Sequence, residues 1–188
     1  MDTKTKKLST VSMVLCGMFA ALVAIGAFIQ IPVPYMDYFT LQFFFVLLAG
    51  LILGADKGAI SVGCYVLLGL VGVPIFAAGG GIGYIFRPSF GYLVGFIVSA
   101  YVTGKVCEKL KASYKNYLLA CLAGFVVTYA IGIVYKFIIL NFYAHTPATL
   151  GVIFLSCFPL DMPGDFVLCL LAAGVGLRMR KSGFYLSE

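Results

Sequence analysis

The sequence predicts an all-α fold, an integral membrane bundle of six transmembrane helices, on three observations. Of 188 residues, 62% are hydrophobic and only 11% charged, with a mean hydropathy of +1.07, whereas a soluble domain is nearer ~45–50% apolar and ~25% charged. The apolar residues are gathered into runs approaching the ~20 residues that a membrane-crossing helix needs. The basic residues, finally, cluster between those runs in a regular alternation. A soluble globule of this size could not hide so much apolar surface, and 17 Phe with 12 Tyr in a low-charge chain are the reverse of a disordered composition.

The runs place spans at about residues 8–31, 39–53, 59–76, 89–106, 117–142 and 164–177, within a single membrane domain covering 1–188. Residues 1–8 read as a cytoplasmic tail. Lys4, Lys6 and Lys7 resemble the charged head of a signal peptide, but the apolar run behind them is too long and five more spans follow, so the first helix is expected to be retained. The stretch 150–158 is apolar but too short to span. With Pro159 and Pro163 beside it, it reads as part of an outer loop or a dipping segment. A β-barrel would show segments of alternating polarity, and LQFFFVLLAGLILG (41–54) does not alternate.

With six spans both termini lie on one side of the bilayer. That side collects Lys4, Lys6, Lys7, Lys57, Lys105, Lys109, Lys111, Lys115, Arg178, Arg180 and Lys181, eleven of the thirteen basic residues. By the positive-inside rule it is the cytoplasmic side of a plasma membrane. The net charge of +6 is then a topological signal, and no nucleic-acid partner is needed to explain it.

Two cations escape this account. Arg87 sits at the outer end of the fourth span. Lys136 lies some 20 residues into a helix that begins inside, ~30 Å along it, among Tyr135, Phe137, Ile138 and Ile139. An unpaired ammonium there is costly, so a carboxylate is expected nearby, and Asp165, read as lying in the first turn of the sixth helix, is the natural partner. Asp37 and Asp161 also fall on the outer side. As a set these charges suggest a polar site open to the outside. Snorkelling of the two cations and a plain helix-start role for Asp165 are the simpler readings of each residue taken alone.

The connection GLVGVPIFAAGGGIGYIFRPSFGYLVGF (69–96) supplies more of such a site. Gly79, Gly80, Gly81 and Gly83 allow a backbone to approach a ligand closely, and the 79–83 turn is a candidate lid. Tyr84, Phe86, Phe90 and Tyr92 surround Arg87 as aromatic walls around a cation suited to a carboxylate. They would also serve as an interfacial aromatic belt. The first connection, IQIPVPYMDYFTLQF (29–43), adds Tyr35, Asp37, Thr40 and Gln42. On the first helix Gly17/Ala21 and Ala20/Ala24 are small pairs that permit close helix approach.

Chemistry that is missing narrows the function. A single histidine, His145, rules out a His cluster. The six cysteines contain no CxxC and mostly lie inside spans, there is no GxSxG, and no Walker A loop exists, so any ATP must be used by another chain. The chain is expected to be neither an enzyme nor a holder of a metal or cofactor. The one DxxxD, Asp161/Asp165, would be the start of a lipid-metabolising membrane enzyme, but Pro163-Gly164 intervenes and argues against one continuous helix presenting both acids. A passive channel would need repeated polar positions along a helix, and none is seen.

The GVPIFAAGGGIGYIFRPSFGYLVGF segment, the FTLQFFFVLLAGLILG run and the PGD at 163–165 together resemble the BioY family, the biotin-specific substrate-capture (S) components of energy-coupling-factor (ECF) vitamin transporters. The likeness covers about residues 10–180, with 72–96 the most specific part. It implies an S-component fold of six helices and a biotin site near the outer surface. It also implies assembly with a transmembrane coupling subunit and two ATPases. The AxxxA that contacts the coupling subunit in this group matches Ala20 and Ala24. The family often has Lys three residues after the PGD aspartate, where this chain has Leu168, which leaves Lys136 as the better candidate cation. On this resemblance Asp165 or Asp161 would meet the ureido N–H groups, with Lys136 oriented by the acid. Arg87 would meet the valerate carboxylate, the two cations being interchangeable in role. Tyr35, Tyr84, Phe90 and Tyr92 would be walls, Gln42 a polar contact and Gly80 a backbone contact. An S component for another small carboxylated vitamin is the alternative.

Overall fold

The computed structural model describes residues 9–32, 38–157 and 161–183. Helix α1 spans Thr10–Phe28, and its first turn is closed by Ser9, whose hydroxyl accepts from the Ser12 amide. Helix α2 is Gln42–Leu53, α3 Ala55–Leu70, α4 Phe90–Lys109, α5 Tyr114–Ile138, α6 Leu150–Cys157 and α7 Asp161–Lys181. A short antiparallel pair, β1 (Gln30–Pro32) with β2 (Tyr38–Thr40), joins α1 to α2. Among the described residues six longer α-helices and one short one thus make the all-α membrane-type bundle the composition calls for. Four of them (α1, α4, the α5 rod running on to Tyr143, and α7) are each long and apolar enough to cross a bilayer.

The helix ends depart from the hydropathy runs for identifiable reasons. The third helix begins at Ala55 rather than 59, because Asp56 is tolerated in a first turn, where the helix dipole favours an anion. The Glu108 carboxylate reaches across from α4 to accept the Ala55 amide at 2.8 Å. The same helix ends at Leu70, before Gly72 and Pro74. The first and second apolar runs each lose a few residues to the β1–β2 pair. The stretch near 150–158, expected as a loop or dipping segment, contains the eight-residue helix α6.

The largest correction concerns the last helix. It starts at Asp161 and runs through Pro163 and Gly164 without a break. Proline is harmless there because the amides of a first turn have no helical acceptor to lose. Asp161 and Asp165 therefore do lie on one continuous helix, contrary to the expectation from Pro163-Gly164, and Asp165 lies in its second turn.

Close helix approach organises the interior. A Cβ on Gly95 of α4 would come 3.0 Å from the Thr128 carbonyl oxygen of α5, and one on Gly132 of α5 would strike the Tyr92 ring of α4. These notches let α4 and α5 pack along their length. Between α2 and α3 the chain reverses at Gly54, with φ +81, a conformation that glycine adopts without steric penalty. At the end where the basic residues gather, Arg180 of α7 donates to the Tyr117 hydroxyl of α5 at 3.0 Å. Asn116 donates there to the Lys111 carbonyl. The opposite end, where α2, α4 and α7 begin and α5 finishes, is where the functional side chains collect.

Candidate functional site

At that end the bundle opens into one cavity lined from five directions. Strand β2 and α2 supply Phe39, Thr40, Gln42 and Phe43, and the α3–α4 connection supplies Ala77, Ala78, Tyr84 and Ser89. Helix α4 adds Tyr92, Leu93 and Phe96, α5 adds Tyr129 and Lys136, and α7 adds Asp161 and Asp165. The walls are thus aromatic, with two carboxylates and one ammonium among them.

The periodicity of the helices explains the convergence. Tyr92 and Phe96 are one turn apart on α4, Asp161 and Asp165 one turn apart on α7, and Tyr129 and Lys136 two turns apart on α5, so each pair shares a helix face. Asp165 Oδ2 accepts the Tyr129 hydroxyl at 2.8 Å. The Tyr129 ring is held by Phe125, at 4.7 Å between centroids, and edge-on by Tyr92 at 5.8 Å. The Tyr92 hydroxyl is 3.1 Å from Cys157 Sγ on α6. Lys136 Nζ donates to Ser156 Oγ at 3.4 Å, also on α6. The expected Lys136–Asp165 ion pair is therefore not made. Each group has a neutral partner, because their helices bring Tyr129 rather than Lys136 level with Asp165.

Gln42 is buried and belongs to a chain of hydrogen bonds. Thr40 Oγ1 donates to Gln42 Oε1 (3.2 Å), Gln42 Nε2 donates to the Tyr65 hydroxyl (2.5 Å), and that hydroxyl donates to the Ile75 carbonyl (3.1 Å). Among the described residues Ser89 Oγ is buried with no hydrogen-bond partner, although it belongs to a cavity-lining residue.

Of the residues singled out from the sequence, Asp165, Asp161, Lys136, Gln42, Tyr84 and Tyr92 line the cavity together. Tyr35 and Asp37 lie outside the described residues. Arg87, Phe90 and Gly80 are not among the lining residues. Arg87 is exposed, with its guanidinium 5.3 Å from the centre of the Tyr84 ring, so it touches the back of a wall. Phe90 is buried behind the cavity against Tyr135. At Gly80 a Cβ would lie 2.3 Å from the Val73 carbonyl oxygen, so its small size serves the fold of the loop. The 79–83 turn is fastened rather than loose. The Gly81 amide donates to Gly69 O at 2.7 Å, Phe76 and Gly79 exchange backbone hydrogen bonds, and the Phe76 ring lies over Gly69. Leu168 is buried and does not line the cavity.

On α1, Ala20 is buried against the bundle and Ala24 half-buried, while Gly17 and Ala21 are the small residues on the exposed face. Tyr129, Phe39, Phe43, Phe96 and Ser89 line the cavity without having been singled out. For Tyr129 a signal existed: it stands seven residues before Lys136, two helical turns, on the same face. Among the described residues no three His, Cys, Asp or Glu side chains gather as a metal ion would require.

The pattern of the BioY family matches residues 1–183. The chain is 40% identical over 177 residues to a probable biotin transporter of Lysinibacillus sphaericus, covering 94% of this chain and 90% of that one. It is 39% identical over 169 residues to the biotin transporter of Thermotoga maritima, covering 88% and 93%. Its fold superimposes with a TM-score of 0.80 on the crystal structure of the S-component for biotin from an ECF-type ABC transporter, at 25% identity over 96% of this chain and 95% of that one.

Proposed function

The chain belongs to the BioY family, and from that premise we propose that its cavity binds biotin, the protein being the substrate-binding component of an ECF transporter. It is a multi-pass membrane protein and a transport component, not an enzyme. The observation that carries the reading of the site is the meeting of Asp165, Asp161 and Lys136 inside aromatic walls at one end of the bundle. Biotin has matching parts. Its fused rings suit Phe39, Tyr84, Tyr92 and Phe96, its ureido N–H groups suit a carboxylate acceptor, and its valerate carboxylate suits an ammonium. Asp165 is assigned to the ureido group, with Asp161 one turn away as a second acceptor. Lys136 is assigned to the carboxylate.

The cavity faces the outside of the plasma membrane in this reading, because the basic residues collect at the other end. The chain carries no nucleotide-binding loop, so ATP is used only by partners: a transmembrane coupling subunit and two ATPases, the first meeting the small residues of α1. The subunit itself holds no cofactor.

Isothermal titration of the purified protein with biotin tests the reading. Sub-micromolar binding is expected, unaffected by a panel of other vitamins, and absence of such binding overturns it. Uptake of labelled biotin into vesicles with and without the coupling subunit and ATPases tests the assembly.

A further inference from the structure

We infer that Tyr129 is the positioning residue for Asp165: it occupies one carboxylate oxygen so that the other is presented to the ligand. This rests on the reading that Asp165 meets the ureido group. The Tyr129 hydroxyl donates to Oδ2 at 2.8 Å, while no described residue donates to Oδ1. The tyrosine ring cannot swing, since Phe125 lies against it one turn earlier on α5 and Tyr92 meets it edge-on from α4. Tyr129 is itself 5% exposed. A rigid donor fixed to one oxygen sets the plane of the carboxylate, which a free Asp side chain on the opening turns of a helix would otherwise choose by rotation about its own bonds.

The test is biotin titration of the full chain in detergent for Tyr129→Phe, Asp165→Asn and the double variant, with Tyr114→Phe, at the far end of the bundle, as control. Tyr129→Phe should weaken binding roughly tenfold, the usual scale for a hydrogen bond to a charged group. It should add less than about twofold in the Asp165→Asn background, as coupled residues do. Tyr114→Phe should bind like the parent. Equal losses in both backgrounds would reduce Tyr129 to a wall and overturn the inference. Parent-like binding by Asp165→Asn overturns instead the assignment of Asp165 to the ureido group. If Tyr129→Phe does not fold, 3-fluorotyrosine at position 129 gives a stronger donor of nearly the same size. Biotin affinity should then change in the parent and stay unchanged in Asp165→Asn, and an equal effect in both counts against the inference.

Discussion

Lys136 and Asp165 line the same cavity without forming an ion pair: the ammonium donates to Ser156 Oγ at 3.4 Å and the carboxylate accepts from Tyr129 at 2.8 Å. Two opposite charges held on neutral partners are each available to a ligand that has both a donor end and an anionic end. Had they paired, biotin would have to break that pair before binding. In the arrangement seen, a biotin bound as proposed would replace weak neutral contacts.

Lys136→Ala and Asp165→Asn are therefore each expected to weaken biotin binding at least about tenfold, ~1.4 kcal/mol. Because they are not partners in the free protein and are proposed to meet different ends of the ligand, the two losses should multiply in the double variant. Titration calorimetry of the four proteins checks this. A double variant no weaker than either single one would mean that the two charges act as one unit.

Much of this was legible in the sequence, and the exceptions have physical causes. The helical membrane-type bundle and its polar end followed from apolar runs and from where lysines fall, because bilayer burial leaves few choices for charge. Asp161, Asp165, Lys136, Gln42, Tyr84 and Tyr92 stood out because polar tips amid apolar runs need a reason. Phe39, Phe43 and Phe96 did not, since a cavity-lining Phe and a lipid-facing Phe look alike in sequence. Arg87 lies outside the cavity lining, because charge at a span end shows depth, not which way the side chain turns. Helix α7 starts three residues before the apolar run does, because a first turn accommodates Pro163.

Arg87 provides a sharper test of the cavity's limits. It is exposed and its guanidinium lies over the Tyr84 ring, outside the lining. If it acts only by bracing Tyr84, Arg87→Ala should weaken biotin and an uncharged biotin amide by the same modest factor, a few-fold, in line with a partly exposed cation–π contact. If it meets the valerate carboxylate in the bound state, the loss should be confined to biotin. Lys136→Ala should show the carboxylate-selective loss. Parallel titrations with the two ligands separate the cases.

The Thr40–Gln42–Tyr65–Ile75 chain ties β2, α2, α3 and the following loop together. Tyr65→Phe would leave a buried Gln42 N–H and the Ile75 carbonyl without their partner, an expected loss of about 1–3 kcal/mol. Thermal unfolding in detergent should show a lower midpoint, and added biotin should restore part of it by mass action. An unchanged midpoint would mean that water satisfies both groups. In that case the network does not hold the wall in place.

The small residues of α1 divide by exposure, and the division predicts which ones serve a partner. Ala20 is 8% exposed and packs into the bundle beside Phe19 and Val23, whereas Gly17 and Ala21 face outward. A leucine at Ala20 must displace core atoms, so Ala20→Leu should lower stability and biotin binding in the isolated subunit, with overpacking costs of about 1–3 kcal/mol. A Cβ on Gly17 meets nothing within 4 Å, so Gly17→Leu and Ala21→Leu should leave the isolated subunit stable and able to bind biotin. Any loss they cause should appear only on assembly, since a bulky residue there keeps a partner helix at a distance. Co-purification with the coupling subunit, set beside titration of the free protein, distinguishes the two classes. Assembly blocked by Ala20→Leu alone, with intact biotin binding, would place the contact on the AxxxA pair instead.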